Sequence, residues 1–222
     1  MLLVVGGMIG AGKSSLTKLV GEHFGSQAYY ENIDSPILEK FYVASEEEKK
    51  EKRWAFLLQL HFLNSRFKDI KKGLSEGDNP YYNILDRSIY EDWYFAKVNR
   101  DLGNISDIEF GIYEELVDNM LSELQELPKK TPDLMIYLKG SFETFIERIN
   151  KRSRGFELDP GTLSYFHTLW SGYDTWVNEH YNQSEVLIID IDRYDYVESE
   201  EDAKIVVGLI EEKLKSMNEG ET

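Results

Sequence analysis

Leu2-Leu3-Val4-Val5-Gly6-Gly7-Met8-Ile9-Gly10-Ala11-Gly12-Lys13-Ser14-Ser15 sets an apolar run directly before a glycine-rich turn. Gly7, Gly12, Lys13 and Ser14 satisfy G-x-x-x-x-G-K-[ST], the spacing of a phosphate-binding loop. The apolar run at 2–5 predicts a buried strand before the loop. Leu16, Leu19, Val20 and Phe24 recur at helical spacing after it. Strand, glycine turn and helix start together make an anion site. The first backbone N–H groups of a helix lack intrahelical partners, and the helix dipole adds partial positive charge there. Glycines let the backbone close around a phosphate with no Cβ in the way. Gly7, Met8, Ile9, Gly10, Ala11, Gly12, Lys13, Ser14 and Ser15 are therefore expected to cradle the phosphates of a nucleotide. Lys13 should reach the terminal phosphates, and the Ser14 hydroxyl should ligate Mg²⁺.

The composition narrows what such a loop can serve. At 222 residues the chain suits one domain, 1–222, with helical elaborations. Its 41% apolar and 13% aromatic content is that of a globular protein. It has no cysteine, which removes disulfides and the common Cys zinc sites and suits a reducing cytoplasm, the expected location. The N-terminal apolar run lacks a basic n-region and is consumed by the loop, so a signal peptide is not expected. No stretch approaches the roughly 18 apolar residues of a membrane-spanning helix. With 25 basic and 41 acidic residues, the net charge is −16. That field repels nucleic-acid polymers and anionic membranes, and neither is an expected partner. A small nucleotide can still bind where cations are concentrated.

Along the chain, strands are expected at 28–31, 83–86, 133–138 and 186–190. Helices are expected at 37–42, 54–74, 89–100, 106–127, 141–152, 162–181 and 200–217, followed by a polar tail, 217–222, without fixed structure. The charge run at 46–53 reads as a solvated helix or loop carrying Glu46/Lys50 and Glu48/Lys52 pairs. Ser106 with Glu109 has the capping-box spacing. Strands alternating with helices imply an α/β fold with a parallel sheet, whose ligands sit beyond the carboxyl ends of the strands. That edge gathers the loop, Glu31, Asp86 and the turn after Asp190.

Phosphoryl transfer needs positioned phosphates, Mg²⁺, a group to take or orient the attacking hydroxyl, and cations for developing charge. Glu31 is the best base candidate, against an ordinary strand-end acid. Asp86 can bind Mg²⁺ or orient the base. Arg87 can hold Glu31 and phosphate oxygens with its planar fork, or form a structural pair with Asp86. Residues 148–154 carry four cations, Arg148, Lys151, Arg152 and Arg154, at a helix end before a glycine-bearing loop. A lid over the phosphates at about 148–160 accounts for all four, whereas the helix dipole alone would favour only one or two. His23, His61, His167 and His180 show no metal-ligand spacing.

The loop at 7–15, Tyr30-Glu31, Trp54-Ala55-Phe56-Leu57-Leu58-Gln59, Asp86-Arg87-Ser88 and Arg152 with Arg154 occur in an order and spacing that resembles the deoxynucleoside kinase family over nearly the whole chain. Within it, the sequence is most similar to the bacterial deoxyadenosine/deoxyguanosine kinases. The resemblance implies a P-loop kinase fold with a five-stranded parallel sheet flanked by helices and an arginine-bearing lid, and usually a homodimer formed through helices. It implies transfer of phosphate from ATP to a deoxynucleoside 5′-hydroxyl in nucleotide salvage, with purines preferred and deoxycytidine an alternative. Glu31 would be the general base and Arg87 the arginine that holds it. Tyr42 and Glu157 would bind the 3′-hydroxyl, and Gln59 the nucleobase. Arg66 with Asp92 would read the base's outer edge, and Arg148, Arg152 and Arg154 would act from the lid. The stretch between Tyr42 and Gln59 is longer than in close relatives, and Asn150 stands where some relatives carry a lid arginine.

Two other readings share the loop. A nucleoside monophosphate kinase would need a further cation site for its substrate's phosphate, whereas Glu31 suits a neutral hydroxyl. A P-loop regulatory module of the GTPase kind would show Asn-Lys-x-Asp, which is absent from the sequence.

Overall fold

The computed structural model describes residues 1–31, 35–75, 83–125, 132–152 and 160–219. Strand β1 (Leu2–Gly7) is buried along its whole length. It has β3 (Asn83–Asp86) on one side and β4 (Leu134–Lys139) on the other. The short β2 (Gln27–Tyr29) and β5 (Glu185–Asp190) complete a five-stranded, all-parallel sheet in the order β2-β3-β1-β4-β5. Continuous apolar runs are what a sheet covered on both faces requires. Alternation along β1 shows the two faces. Leu3 and Val5 join the core that contains Leu16, Phe145, Tyr173 and Ile210. Leu2 and Val4 join the core that contains Leu58, Leu63, Phe110 and Tyr113.

The first core is covered by α1 (Lys13–Phe24), α7 (Phe142–Arg152), α8 (Pro160–Thr175) and α9 (Glu200–Glu219). The second is covered by α2 (Pro36–Val43), α4 (Trp54–Ser75) and α6 (Asp107–Gln125). Helix α5 (Ile89–Asp101) contributes residues to both. The chain runs from β1 to β2 on one side and later crosses from β3 to β4 on the other. The loop after β1 therefore lies at the switch point of the strand order, where open α/β sheets form their crevice.

Local chemistry sets the element ends. Ser35 caps α2 with Pro36 at its first position, and Ser88 with Glu91 forms a full capping box on α5. The expected box at Ser106 is present: the Ser106 N–H donates to Glu109 at 2.8 Å and the Glu109 N–H to Ser106 Oγ at 3.3 Å.

Four expectations need correction. Strand β2 ends at Tyr29, because its last pair is with Leu85 and β3 stops one residue later, where Arg87 turns away. Glu31 lies beyond the sheet. The charge run is a solvated helix as expected, α3 (Glu46–Lys52), with no buried residue, but in place of the expected pairs it carries Lys49 to Glu46, Lys52 to Glu51 and Lys40 to Glu48. Helix α8 closes in a π-turn, Trp176–His180. Helix α9 runs through Met217 to Glu219, and 220–222 lie outside the described residues. Among the described residues, no helix is long and apolar enough to cross a membrane.

Candidate active site

One cavity of about 470 Å³ lies at the carboxyl edge of the sheet. The phosphate loop forms one wall and Gln59, Phe62 and Asp92 line the other, with Glu31 and Arg87 between. The loop obtains its shape from left-handed backbone at Gly10 and Gly12, with φ of 85° and 90°. A Cβ on Gly12 would come 2.7 Å from the Tyr196 hydroxyl, which itself donates to the Ala11 carbonyl at 3.0 Å. Lys13 Nζ folds over the loop and donates to the Gly7 and Met8 carbonyls, both at 2.9 Å. Burial and the neighbouring Arg87 lower its pKa to about 8 against the pull of Asp86, Glu91 and Glu31.

Ser14 Oγ donates to Asp86 Oδ2 at 2.5 Å. Asp86 Oδ1 is buried and has no hydrogen-bond partner among the described residues. Burial pushes the Asp86 carboxyl up, opposed by Lys13. A hydroxyl beside a buried carboxylate with a free lone pair is an oxygen donor set that fits a hard divalent cation. Among the described residues, no cluster of three or more His, Cys, Asp or Glu could hold a metal alone. A cation here would thus share its coordination with bound phosphates, the usual habit of Mg²⁺.

Glu31 is clamped by two buried arginines. Arg66 Nη2 donates to its Oε1 at 3.0 Å, and Arg87 Nε lies 3.3 Å from the same oxygen. Burial alone would raise the Glu31 carboxyl, but Arg87, Arg66 and Lys13 outweigh it and hold the pKa at about 2. Oε2 makes no hydrogen bond among the described residues. Arg87 has a left-handed backbone, φ 79°, which aims its guanidinium back under the loop, over the Phe95 ring at 4.4 Å. Its Nε and Nη1 are buried without hydrogen bonds.

On the far wall, Asp92 lines the cavity, whereas Arg66 lies behind it. Arg66 Nε and Nη2 hold both Asp92 oxygens, at 3.0 and 3.2 Å, and Nη1 donates to the Asp86 carbonyl at 2.6 Å. Arg66 therefore presents Asp92 and Glu31 to the cavity and does not itself line it. Gln59 is 2% exposed, and its amide is unbonded among the described residues. Tyr42 lines the cavity beside Phe41. Arg148 and Arg152 line the cavity near the loop. Arg148 donates to the Ala11 carbonyl at 2.9 Å and the Ile191 carbonyl at 3.2 Å. Lys151 is paired with Glu198 at 2.6 Å. Arg154 and Glu157 lie outside the described residues.

Sequence reasoning missed Glu91, Phe95, Tyr165 and Tyr196. Only Glu91 had a readable signal, the Ser88-x-x-Glu91 box opening α5. Tyr165 and Tyr196 reach the site from distant parts of the chain, and Phe95, one turn after Asp92 on α5, is one apolar residue among that helix's core positions with nothing to mark it.

A parallel sheet whose central strand feeds a phosphate loop, facing a carboxylate–arginine cluster across one cavity, defines a P-loop kinase. A sequence profile of the deoxynucleoside kinase family matches residues 3–215. Deoxyguanosine kinase of Lactobacillus johnsonii is 42% identical over 99% of this chain and 95% of its own. Deoxyadenosine kinase of Lactobacillus acidophilus is 40% identical over 97% of each. The structure of deoxyadenosine kinase from M. mycoides with bound dCTP superposes with a TM-score of 0.76 at 28% identity, covering 97% of this chain and all of that one. The chain belongs to the deoxynucleoside kinase family and is an enzyme, a kinase of deoxynucleosides. That membership favours neither the monophosphate kinase nor the regulatory module.

Proposed function

We propose that the enzyme transfers the terminal phosphate of Mg·ATP to the 5′-hydroxyl of a deoxyribonucleoside, purines preferred, with Glu31 as general base. The observation that carries this reading is the pose of Glu31. Both arginines approach Oε1, which leaves Oε2 for a substrate hydroxyl in the cavity that the phosphate loop also lines. The 5′-oxygen attacks the terminal phosphorus, and its proton passes to Glu31. The bond to the bridging oxygen breaks and ADP leaves. A carboxylate held near 2 is a weak base. It suffices because the hydroxyl becomes acidic as its oxygen bonds to phosphorus.

Lys13 and the guanidinium of Arg87, whose Nε and Nη1 face Glu31 and Glu91, would receive charge on the transferring phosphoryl group. Ser14 and Asp86 would hold the Mg²⁺, which when bound neutralises donor phosphate charge. Arg148, Arg152 and Arg154 would act from a lid at about 148–160 in this single domain, 1–222. On the acceptor side, Tyr42 and Glu157 would bind the sugar 3′-hydroxyl. The Gln59 amide offers a donor and an acceptor to the base, and Asp92 accepts from a base edge such as the adenine amino group or guanine N1–H. The Lactobacillus relatives support a purine preference by name. A cytoplasmic salvage role and a homodimer complete the proposal.

The test is phosphorylation of the four natural deoxynucleosides with Mg·ATP, with each 5′-monophosphate as competitor. Deoxyadenosine and deoxyguanosine should give the highest kcat/KM. Preference for thymidine, or turnover only of monophosphates, would contradict the reading.

A further inference from the structure

Glu91 is fully buried, and no step of the transfer uses it. Its two oxygens nevertheless collect groups from four parts of the site. Oε1 accepts from the Gly7 N–H at 2.9 Å and from the Tyr173 hydroxyl. Oε2 accepts from the Ser88 N–H at 3.0 Å. Arg87 Nη1 lies 3.6 Å from Oε1. Gly7 opens the phosphate loop, Arg87 stands at the acceptor, Ser88 caps α5, and Tyr173 belongs to α8, which follows the segment 153–159.

A capping box needs only one of those bonds, the return from the side chain to the cap's own N–H. The bond to Gly7 crosses from α5 to strand β1 and is not required for starting a helix. Glycine at residue 6 keeps this region open: a Cβ there would come 2.5 Å from Met135 Cε and 3.3 Å from Glu91 Oε2, the oxygen that accepts from Ser88. The carboxylate thus joins the donor's loop to the arginine that faces the acceptor.

We propose that Glu91 is a positioning residue that fixes the phosphate loop and Arg87 in one register, so that donor phosphorus and acceptor hydroxyl meet at reacting distance. This rests on the reading of Arg87 as a cation at the reacting groups. Each substrate keeps its own contacts when Glu91 is altered, and only their mutual placement suffers. Misplacement on the order of 1 Å is enough to slow a reaction about 100-fold.

Glu91→Gln preserves volume but turns an NH₂ group toward one of three donors and removes the carboxylate opposite Arg87. The expected result is a fall in kcat of about 100-fold with KM for ATP and nucleoside each within about threefold. If Glu91 acts through Arg87, Glu91→Gln combined with Arg87→Lys should lose less than the product of the two single losses. A lowered Tm with kcat unchanged, or a raised KM at normal kcat, would overturn the proposal. Should Glu91→Gln fail to fold, Tyr173→Phe removes one donor from Oε1 and decides the matter: a loss of kcat alone supports the proposal, and an unaltered kcat overturns it. Arg87→Lys separates the two readings. If it leaves kcat intact, the role given to Arg87 fails; if it lowers kcat while Glu91→Gln does not, only the role given to Glu91 fails.

Discussion

Lys13 shows how the site tunes single residues. It is buried against Arg87, and its pKa falls to about 8. In the free enzyme its charge is complete below that value and is lost as pH rises through it. Nucleotide phosphates need the ammonium, so kcat/KM for ATP should decline above about pH 8. Bound phosphates raise the lysine's pKa, and kcat at saturating ATP should hold to higher pH. A pH series of both parameters checks this; a flat kcat/KM up to pH 10 would contradict it. Lys13, Ser14, Asp86 and Arg87 were legible in the sequence because each belongs to a short motif at a strand end. Arg66 was legible only as a partner of Asp92. Its hold on Glu31, 35 residues away, depends on how α4 packs beside β3 and has no local signature.

At the scale of elements, the loop between β1 and α1 relies on backbone that side chains rarely adopt. Gly12→Ala would both strain φ 90° and press a methyl against the Tyr196 hydroxyl. ATP affinity should fall about tenfold or more by titration calorimetry, at 1–3 kcal/mol for such strain. At the start of α5, Ser88→Ala removes the acceptor for the Glu91 N–H at 3.1 Å and should cost about 1 kcal/mol in urea unfolding. Strong apolar periodicity made the long helices readable to within a few residues. The short β2 was misjudged because its length is set by where β3 ends, and β3 ends where Arg87 takes a left-handed turn. That turn is a property of the site and leaves no mark in the apolar pattern.

The whole molecule carries a net charge of −16 and yet builds an anion site, by gathering Lys13, Arg87, Arg148, Lys151 and Arg152 around one cavity. Away from that edge, Ile108 and Ile112 lie one turn apart on α6, 78% and 48% exposed. The proposed homodimer would cover them. Light scattering should give about twice the 25.9 kDa of the chain, and Ile108→Asp with Ile112→Asp should halve that mass. An unchanged mass would place the interface elsewhere. The proposed transfer turns on one residue: Glu31 would take the proton of a hydroxyl presented across the cavity from the phosphate loop. Its most direct test is steady-state transfer from Mg·ATP to deoxyadenosine by Glu31→Gln, which keeps the side chain's shape and removes its basicity. The expected result is a loss of kcat of roughly 10²–10⁴-fold with KM for ATP little changed. A kcat within about tenfold of the unaltered enzyme would contradict it.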